Sequence, residues 1–154
     1  MKIEHKSTRA QGLRYYPIFL DIEGKRCVVV GGGKVAKRKI ERLLEARADV
    51  VVISPDLEEG LKGKVLWIER GYKNGDLEGA FIAISATNNS KINQMVYNEA
   101  EKMGILINVV DKPKLCRFIV PSLIQRDDVT IAISTGGKDP SLAKEIRIKI
   151  EKCV

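Results

Sequence analysis

The sequence predicts an α/β fold: a Rossmann-like doubly wound parallel sheet followed by a short β-hairpin and helix. Three observations carry this expectation. Short apolar runs alternate with helical patterns from about residue 26 to residue 110, the signature of a sheet covered by helices on both faces. The first run, Arg26 to Val30, is β-branched almost throughout, as a strand buried on both faces should be, and it enters a glycine turn. After Asp111 the alternation stops, and two neighbouring strand-like runs precede a last helix.

The elements are expected in the following order. Pro17 to Leu20 is a short apolar strand, and Asp21-Ile22-Glu23-Gly24 turns it into the next. Arg26 to Val30 is the first central strand. Lys34 to Glu45 is a helix with Val35, Ala36, Ile40, Leu43 and Leu44 along one face. Asp49 to Ile53 is a strand closed by Ser54-Pro55. Val65 to Glu69 and Ala80 to Ala86 are the next two strands. Thr87-Asn88-Asn89-Ser90 then makes a loop and helix cap, and Lys91 to Met103 is a helix stopped by Gly104. Ile105 to Val110 is the fifth strand of this series. Phe118 to Ile124 and Val129 to Ser134 form a hairpin around Arg126-Asp127-Asp128. Asp139 is a good N-cap and Pro140 suits the first helical position, so a helix is expected from Ser141 to about Glu151. The expected division is a tail over residues 1–14, the parallel-sheet domain over 15–115 and an appendage over 116–154.

Composition narrows the function. With 154 residues, 44% hydrophobic and 31% charged, the chain is one ordinary globular domain, or one domain plus an appendage. No apolar run approaches the roughly 18 residues of a membrane span, so no membrane partner is expected. Met1 to Arg14 is polar and basic with no apolar core, unlike a signal peptide, so a cytoplasmic location is expected. Cys27, Cys116 and Cys153 are far apart, which argues against disulfides and against a Cys-x-x-Cys metal site. His5 is the one histidine and lies in the tail, so no histidine-based metal site or triad is expected. The formal charge of +7, from 27 basic and 20 acidic residues, favours anionic partners. Nucleic acid is not expected among them: no helix-turn-helix or zinc-finger spacing occurs, and aromatics are only 5%.

The chemistry starts at the glycine turn. Gly31, Gly33 and Ala36 fit G-x-G-x-x-A with a strand before and a helix after, the fingerprint of a dinucleotide-binding βαβ unit. Gly31 permits the tight turn. Gly33 has no Cβ, so a pyrophosphate can approach the backbone. Ala36 lets the helix pack closely on the strand. The free N–H groups at the helix start favour the anion. A dinucleotide site needs an acidic residue about 20 residues beyond the turn for the ribose hydroxyls. Asp56 lies slightly later than ideal, and Ser54 or backbone groups are the alternative. No arginine follows the second strand, although Lys62 and Lys64 are close in sequence, so NAD is favoured over NADP. Thr87 and Asn88 follow the fourth strand and are candidates for the nicotinamide side, or for helix capping.

Two further places carry chemistry. Asp111 ends the fifth strand in Asn108-Val109-Val110-Asp111. Burial in the crevice there would raise its pKa toward the acid/base range; a solvated turn aspartate before Pro113 is the other reading, and spacing leaves both open. Thr135-Gly136-Gly137-Lys138 precedes a helix and is a second anion-binding candidate, or an ordinary capped helix start. Ser141-Leu142-Ala143-Lys144 mimics a Ser-x-x-Lys nucleophile motif but lacks its companions.

Taken in order, Tyr16-Pro17-Ile18-Phe19-Leu20, Gly31-Gly32-Gly33-Lys34-Val35-Ala36-Lys37-Arg38-Lys39, Asn108-Val109-Val110-Asp111, Cys116-Arg117-Phe118-Ile119-Val120-Pro121-Ser122 and Ser134-Thr135-Gly136-Gly137-Lys138-Asp139-Pro140-Ser141-Leu142-Ala143 closely resemble the precorrin-2 dehydrogenases. These also form the N-terminal module of siroheme synthases, and the resemblance covers about residues 15–150. It implies NAD-dependent oxidation of precorrin-2 to sirohydrochlorin in siroheme (porphyrin-type) biosynthesis, with ferrous iron insertion in some members. It implies that Asp111 is the catalytic acid/base group and that Lys34, Val35, Pro55 and Asp56 contact NAD. Thr135 stands where some relatives carry a serine facing the substrate cleft. Arg117, Lys138 and the Gly136 and Gly137 amides are the candidates for the tetrapyrrole carboxylates.

Two departures stand out. Arg47 replaces the glycine that ends the first helix in the family, at a cost of about 1 kcal/mol if its backbone is left-handed. Fuller members continue for several more helices, so the substrate pocket here is expected to be open or completed by another subunit. No late histidine or carboxylate is available to assist metal delivery. Leu123, Ile131, Ile133, Leu142, Ile146 and Ile150 are too many apolar residues for so short an appendage to hide, so a homodimer through residues 118–150 is expected. The rival readings are a non-catalytic NAD or tetrapyrrole-binding module that needs a partner, and a nucleic-acid-binding Rossmann domain suggested by charge alone.

Overall fold

Five strands form one parallel sheet because their residues are apolar on both faces and so must be covered twice. In the computed structural model, which describes residues 14–153, these are β1 (Arg26–Val30), β2 (Asp49–Ser54), β3 (Leu66–Glu69), β4 (Ile82–Ser85) and β5 (Leu106–Val109). Their order across the sheet is β3-β2-β1-β4-β5, and every pairing is parallel. Side chains alternate between the faces, as the pleat requires. Cys27, Val29, Val50, Val52, Ile82 and Ile84 pack with α1 (Lys34–Glu45) through Ala36, Ile40 and Leu43. Val28, Val30, Val51, Ile53, Ala83 and Ile107 pack on the opposite face with α2 (Ser90–Met103) through Val96 and Ala100. The sheet is therefore doubly wound, and its order reverses between β1 and β4.

The polypeptide crosses from β3 to β4 without a helix. Polar groups hold that segment. Arg70 donates two bonds to Asp76, of 2.7 and 2.8 Å, and keeps its carboxyl below the usual range. Glu99 on α2 accepts from the Gly75 N–H at 2.8 Å and from the Tyr72 hydroxyl. Burial first, and Glu99 second, push that phenol above its usual range.

The first two helices end in the same way. The Ala48 N–H reaches back to Leu43 O (3.0 Å) and the Arg47 N–H to Leu44 O (2.9 Å). At the end of α2 the Ile105 N–H bonds Ala100 O (2.9 Å) and the Gly104 N–H bonds Glu101 O (3.3 Å). This doubly bonded stop needs a left-handed residue. Gly104 supplies it at φ 68°, but Arg47 supplies it at φ 58° against its own Cβ.

Residues 119–153, with 14–18, form a second compact unit, distinct from the unit Phe19–Phe118. Its antiparallel hairpin joins β6 (Ser122–Arg126) to β7 (Val129–Ile133), with Ile124 opposite Ile131. Helix α3 (Pro140–Glu151) packs on both strands. Its start is capped by Asp139, whose carboxylate accepts from the Leu142 N–H at 2.9 Å.

The structure corrects two expected strands. Pro17 to Leu20 is not a strand, and Tyr16 and Phe19 are exposed. The reason lies in β1: β2 and β4 already pair with both its edges. The strand expected from Phe118 begins at Ser122, because Pro121 has no N–H to give a ladder. A 3₁₀ turn at Pro113–Leu115 was not anticipated.

The left-handed Arg47 gives a stability prediction. Arg47→Gly removes about 1 kcal/mol of backbone crowding and restores part of it as unfolded-chain entropy, for a net gain of about 0.5 kcal/mol. Its ion pair with Glu23 is exposed and contributes little. Thermal melts should show Tm higher by about 2 °C; an unchanged or lower Tm would contradict the strain.

Candidate functional site

The carboxyl ends of β1, β2, β4 and β5 meet at the point where the strand order reverses, the place where open α/β sheets bind ligands. Three consecutive glycines leave β1 there. The Gly31 N–H bonds Ile53 O at 2.9 Å, and the Gly32 carbonyl accepts from the Glu58 N–H at 2.8 Å. A Cβ on Gly31, which has φ 115°, would lie 2.4 Å from the Ala86 carbonyl oxygen. A Cβ on Gly32 would lie 2.0 Å from the Asp56 carbonyl oxygen and 2.3 Å from Ser54 Oγ. Both glycines are therefore fixed by neighbouring backbone.

Gly33 is different. A Cβ there meets nothing within 4 Å, and φ −82°, ψ −173° suits any residue. Gly33 starts α1 with no side-chain cap, so the first-turn N–H groups face out unpaired. The other two helices are capped, α2 by Asn89 and α3 by Asp139. An open, uncapped helix start over a crowded glycine turn is the geometry a pyrophosphate requires. The residues present thus fit a dinucleotide. Lys34 and Val35 are exposed beside this start, and Ala36 is fully buried under α1.

Past β2, Ser54 is buried and its hydroxyl bonds the Asp56 carbonyl, while Trp67 Nε1 donates to Ser54 O at 3.0 Å. Ser54 is thus spent on the turn, and Pro55 and Asp56 are exposed. Lys37 donates to Glu59 O at 3.4 Å, and Lys62 sits 5.8 Å from the Trp67 ring centre.

Past β4, Thr87 and Asn88 form the turn into α2. Asn93, a buried residue of α2, receives hydroxyls from Ser85 (2.8 Å) and Thr87 (2.7 Å) and donates to the Thr87 carbonyl (3.0 Å).

Past β5, Asp111 sits at φ 59°, a conformation aspartate tolerates. It is exposed, as the turn-aspartate reading has it. Its loop is pinned at the base. Cys116 Sγ, buried, accepts from the Val109 N–H at 3.3 Å, Asn108 Nδ2 donates to Phe118 O at 3.0 Å, and the Arg117 N–H bonds Ile107 O at 2.8 Å. The Arg117 guanidinium grips Glu101 and also reaches the Tyr97 hydroxyl at 3.3 Å. That grip holds the Glu101 carboxyl below the usual range. Lys39 on α1 is half-buried, and burial first, then Arg38, lowers its ammonium pKa while Cys116 and Asp111 oppose the shift.

The second unit holds the other predicted residues. Thr135 Oγ1 donates to Asp139 O at 2.8 Å and accepts from the Asp139 N–H at 3.0 Å. Gly136 and Gly137 have φ 68° and 78°, and Lys138 is exposed. The Asp139 carboxylate occupies the start of α3, which favours the capping reading of this loop. Among the described residues no group of three His, Cys, Asp or Glu side chains could hold a metal ion, and no helix is long and apolar enough to cross a membrane. His5 lies outside the described residues.

Sequence reasoning missed Gly32, Asn93 and Lys39. Gly32 occupies an unspecified position of the fingerprint. Asn93 had one available signal: it falls in the stripe of Val96 and Ala100, where an apolar residue is expected. Lys39 reads as part of a solvated charge run.

The glycines separate fold from binding. Gly32→Ala forces backbone apart and should cost about 3 kcal/mol. Gly33→Val should change stability by only about 0.5 kcal/mol while lowering NAD⁺ affinity at least about tenfold, by filling the pyrophosphate space. Denaturation and calorimetry on the two variants check this; equal NAD⁺ affinity in Gly33→Val would remove the assignment.

Comparison with known proteins agrees with this geometry. The model of a family described as "Putative NAD(P)-binding" matches residues 18–122. The siroheme synthase of Nitrosococcus oceani is 41% identical over 147 residues, 92% of this chain and 31% of that protein. The siroheme synthase of Vesicomyosocius okutanii is 43% identical over 144 residues, 90% of this chain and 31% of that one. The chain thus spans about a third of the length of these relatives. Among solved structures, SirC, a precorrin-2 dehydrogenase, superposes with a TM-score of 0.78 at 27% identity, over 91% of this chain and 71% of that one. The chain belongs to the family described as "Putative NAD(P)-binding".

Proposed function

We propose that this chain binds NAD⁺ and oxidises precorrin-2 to sirohydrochlorin, a step of siroheme biosynthesis. The observation that carries the reading is the open space at Gly33 over the uncapped start of α1, in a chain of this family. Gly31 and Gly33, with Lys34 and Val35, hold the pyrophosphate. Pro55 and Asp56 meet the adenosine ribose. Thr87 and Asn88 border the nicotinamide side. Asp56 is an exposed carboxylate, and the nearby Lys37 and Lys62 are engaged elsewhere; this favours ribose hydroxyls over a 2′-phosphate and hence NAD over NADP.

When bound, the nicotinamide supplies the hydride acceptor. Two hydrogens must leave the substrate, one as hydride and one as a proton. Asp111, an exposed carboxylate on a pinned loop, takes the proton. Lys138 and the Gly137 amide receive substrate carboxylates, while the Thr135 hydroxyl and the Gly136 N–H are taken by Asp139 and Ser134. Arg117 contributes through Nη1, which makes no hydrogen bond among the described residues, while Glu101 holds its other edge.

The protein works as a homodimer through residues 118–150. The support is the apolar surface of the second unit. Val129, Leu142 and Ile148 are exposed, and only Ile124 and Ala143 of its apolar residues are buried. Light scattering at tens of micromolar should give a dimer; a monomer would remove this part.

Asp111→Asn keeps the shape and removes the proton acceptor. Turnover should fall by about 10²–10⁴-fold, the usual contribution of a general acid/base group, with NAD⁺ affinity nearly unchanged. Single-turnover NADH formation with freshly made precorrin-2 at saturating NAD⁺ tests both statements. Wild-type rates in the variant would make Asp111 a turn residue. NAD⁺ binding without NADH formation in the wild-type chain would favour the non-catalytic module.

A further inference from the structure

We infer that Asn93 is the positioning residue for the nicotinamide side of the dinucleotide site, acting by holding the Thr87–Asn88 turn. This rests on the reading of the Gly31–Val35 turn as a dinucleotide cradle. Asn93 lies on the core-facing stripe of α2 with Val96 and Ala100, and all three are buried. Packing alone would be served by an aliphatic residue there, since a buried amide costs free energy unless every bond is made. The bonds Asn93 makes run toward the end of β4 and its turn. Its Oδ1 accepts from Ser85 at 2.8 Å and Thr87 at 2.7 Å, and its Nδ2 donates to the Thr87 carbonyl at 3.0 Å.

Thr87 is thereby fully committed. Its one hydroxyl proton has two acceptors in reach, Asn93 Oδ1 at 2.7 Å and Asn89 O at 3.2 Å, and the shorter bond takes it. A lone pair accepts the Asn89 N–H at 3.1 Å. Asn89 in turn caps α2 through the Lys91 and Ile92 N–H groups, at 3.0 and 3.2 Å. Asn88 is left exposed between two anchored residues. The same turn abuts the glycine cradle, because a Cβ on Gly31 would come 2.4 Å from the Ala86 carbonyl oxygen. The side-chain hydrogen bonds of Asn93 go to Ser85 and Thr87, and not to the cradle. Its loss should loosen the turn and leave the pyrophosphate and adenosine side intact.

The test compares NAD⁺ with ADP, which lacks the nicotinamide half. Calorimetric titration of the Asn93→Ala chain should show NAD⁺ affinity lower by about tenfold and ADP affinity within about twofold of wild type. Gln94→Ala, on the exposed face of α2, should change neither. Equal loss for both ligands would mean a general structural role and overturn the inference, as would unchanged NAD⁺ affinity. If Asn93→Ala fails to fold, shown by circular dichroism, Asn93→Ser decides: selective loss of NAD⁺ supports the role, and any other pattern rejects it. A wild-type chain that binds neither ligand would instead overturn the dinucleotide reading, a separate outcome.

Discussion

Backbone crowding at Gly31 and Gly32 is the constraint on which the rest depends. Two strand ends and the turns that follow them converge on these residues. The Gly31 N–H is held by Ile53 at the end of β2, the Ala86 carbonyl after β4 lies against its Cα, and the Asp56 carbonyl and Ser54 hydroxyl lie against Gly32. A side chain at either position would push β2 or β4 away from β1. Their closeness directs the chain out of the sheet and into α1. The first N–H groups of α1 therefore open onto free space at Gly33. The proposed anion site is thus a consequence of how the sheet closes at its centre. The same residues that permit tight strand contact expose the helix start.

Outward from that centre, each neighbouring loop is fixed by buried polar groups. Ser54 closes the turn after β2, Asn93 the turn after β4, and Asn108 with Cys116 the loop carrying Asp111. Arg26 Nε is the one buried side-chain nitrogen or oxygen without a partner among the described residues. The arrangement leaves Gly33, Asp56, Asn88 and Asp111 exposed at the carboxyl ends of four strands. Their supports are buried and inert. The cysteine at the start of β1 shows the inert case: burial, then Asp49, pushes the Cys27 thiol up to about 11.

Much of this was legible in the sequence for a simple reason. Parallel strands need apolar residues on both faces, and helices need a stripe. Val28 to Val30 and the Ala36-Ile40-Leu43 stripe are therefore strong local signals. The glycine fingerprint is equally local. What was hidden depends on distant partners. Gly32 is forced by Asp56, which a strand and helix separate from it. Asn93 interrupts an apolar stripe, but its partners Ser85 and Thr87 are not visible until β4 lies beneath it. Pro17 to Leu20 looks like a strand, but the edge it would join is filled. For Asp111 the sequence leaves burial and exposure both open, because the loop that presents it closes through Cys116 and Arg117.

The most direct measurement is amide NMR of the isotopically labelled chain during NAD⁺ titration. The account predicts the largest shifts at the Gly33, Lys34 and Val35 amides, because in the proposed site the pyrophosphate accepts from these N–H groups. Smaller shifts should follow at Asp56 and Asn88. Shifts confined to the Thr135–Lys138 loop, with the Gly33–Val35 amides unmoved, would contradict it.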